Sequence, residues 1–217
     1  MIRSAQLSAL LATVILAGCQ DNISTPFPAG LEPIEEDPVP VQQGGARTEM
    51  LVTTAKDDNA GVRHAYGRGY VLLPPAQVWL AAKAPEVMFA RCSTDARTVT
   101  PNDEPAYEFS FLVHYVVHNV LTVEWDDQWR FGTVEGTPEA PTLAMSKHQK
   151  ISGSDFITRS EGTVEVSATD DPAVTELAFV EILDAAGGSD ADVVKGLQTN
   201  YDAMVAAAHG NPIPPCP

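Results

Sequence analysis

The 217 residues carry 13 Lys+Arg against 29 Asp+Glu, a formal net charge of −16. A surface this acidic repels phosphates, which argues against nucleic acid as a partner, and it repels anionic lipid headgroups as well. The charge serves solubility, and the roughly 165 residues behind a polar front are enough to bury one core.

Met1-Ile2-Arg3 supplies a single positive charge, residues 7–17 are almost purely apolar, and Leu16-Ala17-Gly18-Cys19 follows. A charged start, a short apolar run and small residues before a cut are the marks of a secretory signal. The run is too short for a membrane span of about 20 residues. The ending L-A-G-C resembles a bacterial lipobox. That resemblance implies cleavage before Cys19 and acylation of its sulfur and amino group. Gln20 in place of aspartate then implies the outer membrane, with the protein facing the periplasm. Several acyl chains anchor firmly because each buried methylene contributes about 0.8 kcal/mol. Residues 1–18 are thus read as signal peptide and residues 19–46 as lipidated cysteine plus tether. The tether alternates Pro26, Pro28, Pro33, Pro38 and Pro40 with acidic and small residues and has no period. At ~3.1 Å per residue it could reach about 80 Å at most, which suggests clearance from the membrane.

Residues 47–217 are expected to form one domain. Residues 50–54 are either a preliminary strand or part of the tether. Residues 62–73 alternate as a strand, with Gly67 and Gly69 marking a bulge or bend. Pro74-Pro75 opens a short helix over 75–82, since prolines cost little at a helix entry, and Pro85 limits it. A second short turn is expected over 86–91. Tyr107, Phe109, Phe111, Val113, Tyr115 and Val117 fall on every second position, which gives a strand with one apolar face. Leu121, Val123 and Trp125 continue the odd-numbered pattern, Asp126-Asp127 reads as a turn, and Trp129-Arg130-Phe131 follows. Further strands are expected between 142 and 158 with a break near Ser152-Gly153, over 163–169, and over 174–183 after the turn at Asp170-Asp171-Pro172. The one long helix is last. Ser189 and Asp192 form a weak capping box, and Val194, Leu197, Tyr201, Val205 and Ala208 recur at helical spacing with Met204 beside them. Gly210 and Pro212 close it.

Cys92 and Cys216 are an even pair in an oxidising compartment, which points to a disulfide; two separate thiols are the alternative.

The order of elements resembles the helix-grip fold of the START/Bet v 1-like (SRPBCC) superfamily over about residues 60–210. The residues that carry the likeness are Leu73-Pro74-Pro75-Ala76-Gln77-Val78-Trp79, Gly162-Thr163-Val164-Glu165-Val166 and Thr175-Glu176-Leu177, followed by the terminal helix. The resemblance implies an α+β fold in which a curved antiparallel sheet wraps the long helix and short helices plug its open side. The prolines would then turn the chain out of the sheet edge into that plug. The resemblance also implies a cavity for a small apolar ligand, lipid-like or aromatic; short plugs of this sort are natural gates, and that role is expected for the plug here. Trp79, Phe109, Phe111, Tyr115, Trp125, Trp129, Leu197, Tyr201 and Met204 are the candidate lining, and each also fits plain core packing.

Candidates for chemistry are sparse. His114 and His118 are four apart, about 13 Å along a strand, so no metal site is expected. Glu124, Asp126 and Asp127 read as an acidic hairpin tip, and His148 as exposed. No nucleophile elbow, phosphate loop or dinucleotide fingerprint is present, and no catalytic residue or cofactor is expected. The leading expectation is a carrier. The alternatives are an interaction module with a filled core, or a cyclase-like enzyme, which polar groups converging inside with shifted pKa values would reveal.

Overall fold

The computed structural model describes residues 22–58, 61–88, 90–118 and 120–217; Cys19 and the signal segment lie outside them. Eight strands form one antiparallel sheet: β1 (Leu51–Asp57), β2 (Arg63–Val71), β3 (Ala96–Pro101), β4 (Phe109–His118), β5 (Thr122–Thr137), β6 (Ala140–Gly153), β7 (Ile157–Ala168) and β8 (Thr175–Ala185). Their order across the sheet is β1-β2-β8-β7-β6-β5-β4-β3. Register shifts at Asp126/Asp127, Thr133/Glu135, Glu135/Gly136 and Ile157/Arg159 are the local twists that let a long sheet curl. Helix α1 (Pro75–Ala82) and α2 (Asp190–Ala208) lie on its concave side. This is the helix-grip arrangement.

Odd-numbered residues of β4, β5 and β8 point into the concave core, where Phe111, Val113, Tyr115, Trp129, Phe131, Leu177 and Phe179 are buried with Trp79 of α1 and Leu197, Tyr201 and Met204 of α2. Each large apolar side chain so buried contributes about 1.5–3 kcal/mol. Helix α2 starts where expected: the Asp192 carboxylate accepts a 2.8 Å bond from the Ser189 N–H. The Tyr201 hydroxyl donates to the Tyr70 carbonyl at 2.6 Å and fixes the helix to β2. Gly69 is neither a bulge nor a bend, since β2 pairs in unbroken register on both sides. A Cβ there would lie 2.8 Å from the Tyr201 ring, so glycine lets the helix close on the strand.

Of the two readings of residues 50–54 the strand holds, lengthened to the edge strand Leu51–Asp57. Other expectations are corrected. The opposite edge, β3, is a strand that the sequence pattern does not announce. Asp126-Asp127 is no turn but the interior of β5. The two prolines follow a strand that is second from the edge, and the 3₁₀ turn at Pro85–Val87 comes slightly earlier than expected.

Residues 22–46 run along the convex face and are held there at several points. Arg130 donates to the Phe27 and Pro28 carbonyls at 3.2 and 2.9 Å and pairs with Glu104. Glu35 accepts from the Tyr66 hydroxyl at 2.6 Å and pairs with His64. Arg68 bonds Asp37 at 2.7 Å and the Val39 carbonyl at 2.9 Å, and Val39 is buried against Tyr66 and Val180. These residues form a strap, not a free spacer.

Candidate functional site

On strands β5, β6 and β8 the concave parity carries mostly aromatic and aliphatic residues, with four ionisable exceptions. Asp127, His148, Lys150 and Glu181 point inward and are all buried. Register explains why three of them meet. Trp129 of β5 stands opposite His148, His148 opposite Gly162, and Gly162 opposite Glu181. Gly162 has no side chain, so the imidazole and carboxylate reach across β7: His148 Nε2 is 2.9 Å from Glu181 Oε2. Asp127 approaches the other ring nitrogen, with Oδ2 3.6 Å from Nδ1. Trp129 stacks on the imidazole with centroids 4.3 Å apart.

A Cβ at residue 162 would lie 2.2 Å from Glu181 Oε2, 2.5 Å from His148 Nε2 and 2.9 Å from the Val180 carbonyl. Gly162→Ala is therefore expected to cost about 1–3 kcal/mol, as overpacking does, read as a lower urea midpoint. A midpoint that does not move would mean the pair can part freely.

Electrostatics set the protonation of this trio. Burial opposes the charged imidazolium, yet Glu181 and Asp127 outweigh it and push His148 up to about 10. Burial raises the Glu181 carboxyl to about 7, against the pull of His148. Burial also raises Asp127, and it raises the Tyr115 hydroxyl, helped by the Asp127 charge. The two carboxyls thus favour the charged imidazole, while burial works against their own charge. Among the described residues, Glu181 Oε1 and Asp127 Oδ1 are buried without a hydrogen-bond partner. Such atoms are rare in folded proteins and call for an explanation. Lys150 stands opposite Asp127 across β5 and β6, and its charge favours the Asp127 carboxylate, but its hydrogen bonds go to the backbone. Its ammonium donates to the carbonyls of Ser154, at 2.8 Å, and of Ile157, bracing the β6–β7 turn from inside.

The residues expected to line a pocket are distributed unevenly. Trp79, Phe111, Tyr115, Trp125, Trp129, Leu197, Tyr201 and Met204 share one buried cluster, whereas Phe109 stands at the rim, 38% exposed, against Phe111 and Phe131. His148 is a correction: expected on the surface, it is 2% exposed. The acidic tip is also corrected, because Asp126 faces outward to His114 at 2.8 Å while Asp127 faces in. His118 is exposed, as its polar parity implied. Among the described residues no group of three or more His, Cys, Asp or Glu is placed to hold a metal ion.

At the base of α2 a pocket of about 390 Å³ is bounded by Met88, Arg91, Leu183, Lys195 and Thr199 among others. Leu183 is the next inward residue after Glu181, about 7 Å further along β8. The Cys92–Cys216 disulfide forms, with sulfurs 2.04 Å apart, and Cys92 and Pro217 complete the pocket wall.

No protein-family model and no curated protein matches the sequence. Solved structures do resemble the chain's path. The aromatase/cyclase ZhuI from Streptomyces sp. R1128 aligns at 13% identity and TM-score 0.45, covering 68% of this chain and 94% of its own. The lipid transfer and protein localization domain of human StarD13 aligns at 11% and 0.49, covering 76% and 86%. Ara h 8.0201 aligns at 12% and 0.44, covering 70% and 100%. The likeness is one of fold.

Proposed function

We propose that the chain is a lipid-anchored protein of the cell envelope, held to the outer membrane through acylated Cys19 and facing the periplasm. Its domain holds a small, largely apolar molecule between α2 and the concave face. The observation that carries this reading is the Asp127–His148–Glu181 trio set into an aromatic wall. Ligand sites are mostly apolar surfaces with a few fixed polar groups that orient the guest, and two of the carboxylate oxygens here lack partners among the described residues. A guest that reaches these oxygens meets them with a hydrogen-bond donor and meets the aromatic wall with an apolar body. The anchoring half of the proposal rests on the lipobox at residues 16–19.

A second reading has its own support. A carboxyl raised to about 7 beside a protonated imidazole is suited to taking or giving a proton near neutrality, as a cyclase-like enzyme requires. One experiment separates the two. The full chain is purified from membranes in detergent, its passenger is extracted and identified by mass spectrometry, and that passenger is returned to fresh protein. A stoichiometric passenger recovered unchanged supports the carrier. A passenger converted to a new mass, with conversion lost in Glu181→Gln, supports the enzyme. Protein that carries no passenger and shows no thermal shift with amphipathic donors overturns both.

A further inference from the structure

Resting on the anchoring reading of Cys19, we infer that the end of the sheet bearing the β4–β5 and β6–β7 turns lies on the bilayer. Val120, Leu121 and Phe156 then enter its interface, and the pocket at the base of α2 faces the lipid.

The strap fixes which end is held. Its first described residue, Asn22, bridges to Ser154, and its side-chain oxygen accepts from the Gly153 N–H at 2.7 Å. The Ile23 N–H donates to the Gly153 carbonyl and the Thr25 N–H to the Ile151 carbonyl, both at 2.9 Å. Cys19 lies three positions before Asn22, and three residues span about 10 Å at most. An acyl chain on Cys19 thus starts within about 10 Å of the β6–β7 turn. Further along, Arg130, Glu35 and Asp37 hold the strap to the sheet, so the domain does not swing away on a long leash.

The same end exposes apolar side chains. Val120 is 95% exposed, Leu121 46% and Phe156 37%. Register places them together: β4 ends at His118 opposite Thr122, Trp125 lies opposite Gly153, and Ile157 opposite Ala185. Lys150 braces the turn that carries Phe156. Helix α2 begins at this end and β8 finishes there, which puts the pocket beside Leu183 and Lys195 on the same side. Glu124 and Asp155 stand close to the tip in sequence, so anionic headgroups oppose docking and the fitting partner is a neutral or zwitterionic leaflet.

The test uses the full acylated chain in vesicles of phosphatidylethanolamine and phosphatidylcholine. Val120→Cys, Phe156→Cys and, at the far end, Val134→Cys are each labelled with an environment-sensitive fluorophore; Val134 is 51% exposed. Intact mass first reports whether Cys19 is acylated. Acylated protein with quenching by brominated lipid at residues 120 and 156, several-fold stronger than at 134, and weakened by added phosphatidylglycerol, is the expected result. Equal or absent quenching at all three positions overturns the orientation while the anchor stands. Quenching replaced by cross-linking between two copies at residue 120 also overturns it. An unacylated Cys19 removes the anchor and the orientation with it.

Discussion

Replacing His148 with glutamine is expected to lower the unfolding free energy at pH 7 by about 3–5 kcal/mol, the cost of leaving a buried charge without its partner. The imidazolium stands between Glu181 and Asp127 on the concave face, at 2.9 and 3.6 Å. Glutamine keeps a polar end but no charge, so two buried carboxyls are left to take up protons. Because whole domains are stable by about 5–15 kcal/mol, the loss is plain in a urea titration. The pH profile identifies its origin. His148 is raised above its ordinary 6.5 to about 10, so its contribution is complete below 6.5 and disappears as pH rises toward 10. Glu181 is raised from 4.5 to about 7, so the folded state also holds its proton longer, and stability from this group declines as pH rises from 4.5 to 7. Both slopes have the same sign, because the folded state binds more protons across the interval. Wild-type stability is expected to fall as pH rises from 6.5 to 10; a flat profile over that range would show that the imidazole acts only by filling space.

The trio escapes the sequence because its members lie far apart along the chain and meet only through register. Pro74, Pro75 and Pro85 mark out α1 correctly because proline chemistry is local, and the alternation from Phe109 to Val117 identifies β4 because one face is apolar. The terminal helix is legible for the same reason, in its period and its Ser189 cap. Asp126-Asp127 misleads because adjacent aspartates are ordinary turn residues. Here Asp126 finds His114 and Ser152 outside while Asp127 finds His148 inside, partners that are distant in sequence. A signal is nevertheless present. Glu181 shares the parity of Leu177 and Phe179, and Asp127 that of Trp125 and Trp129, so each is a charge on an otherwise apolar face. Strand β3 is hidden because its residues are nearly all exposed and do not alternate. The strap is hidden because backbone carbonyls and scattered ion pairs hold it, which leave no period to read.

Opening the Cys92–Cys216 bridge through the Cys92→Ser/Cys216→Ser double variant is expected to cost about 4–5 kcal/mol, the loop-closure value for a tie spanning more than a hundred residues. The bridge joins positions 124 apart in sequence, so its loss frees the unfolded chain far more than a short loop would. The urea midpoint should fall and the slope should steepen, because an unlinked chain exposes more surface on unfolding. A local effect should come with the global one. Arg91 donates to the Pro214 carbonyl at 2.9 Å, a contact too weak alone to hold the proline-rich tail. The amides of residues 211, 213 and 216 and of 90–93 should therefore exchange faster than the sheet, at denaturant levels where β5–β8 remain protected. Since Cys92 and Pro217 wall the pocket beside Leu183, a bound guest should leave the variant faster than it leaves the wild type. A loss under about 1 kcal/mol with unchanged exchange would mean that the tail is held by packing and that the bridge follows the fold rather than securing it.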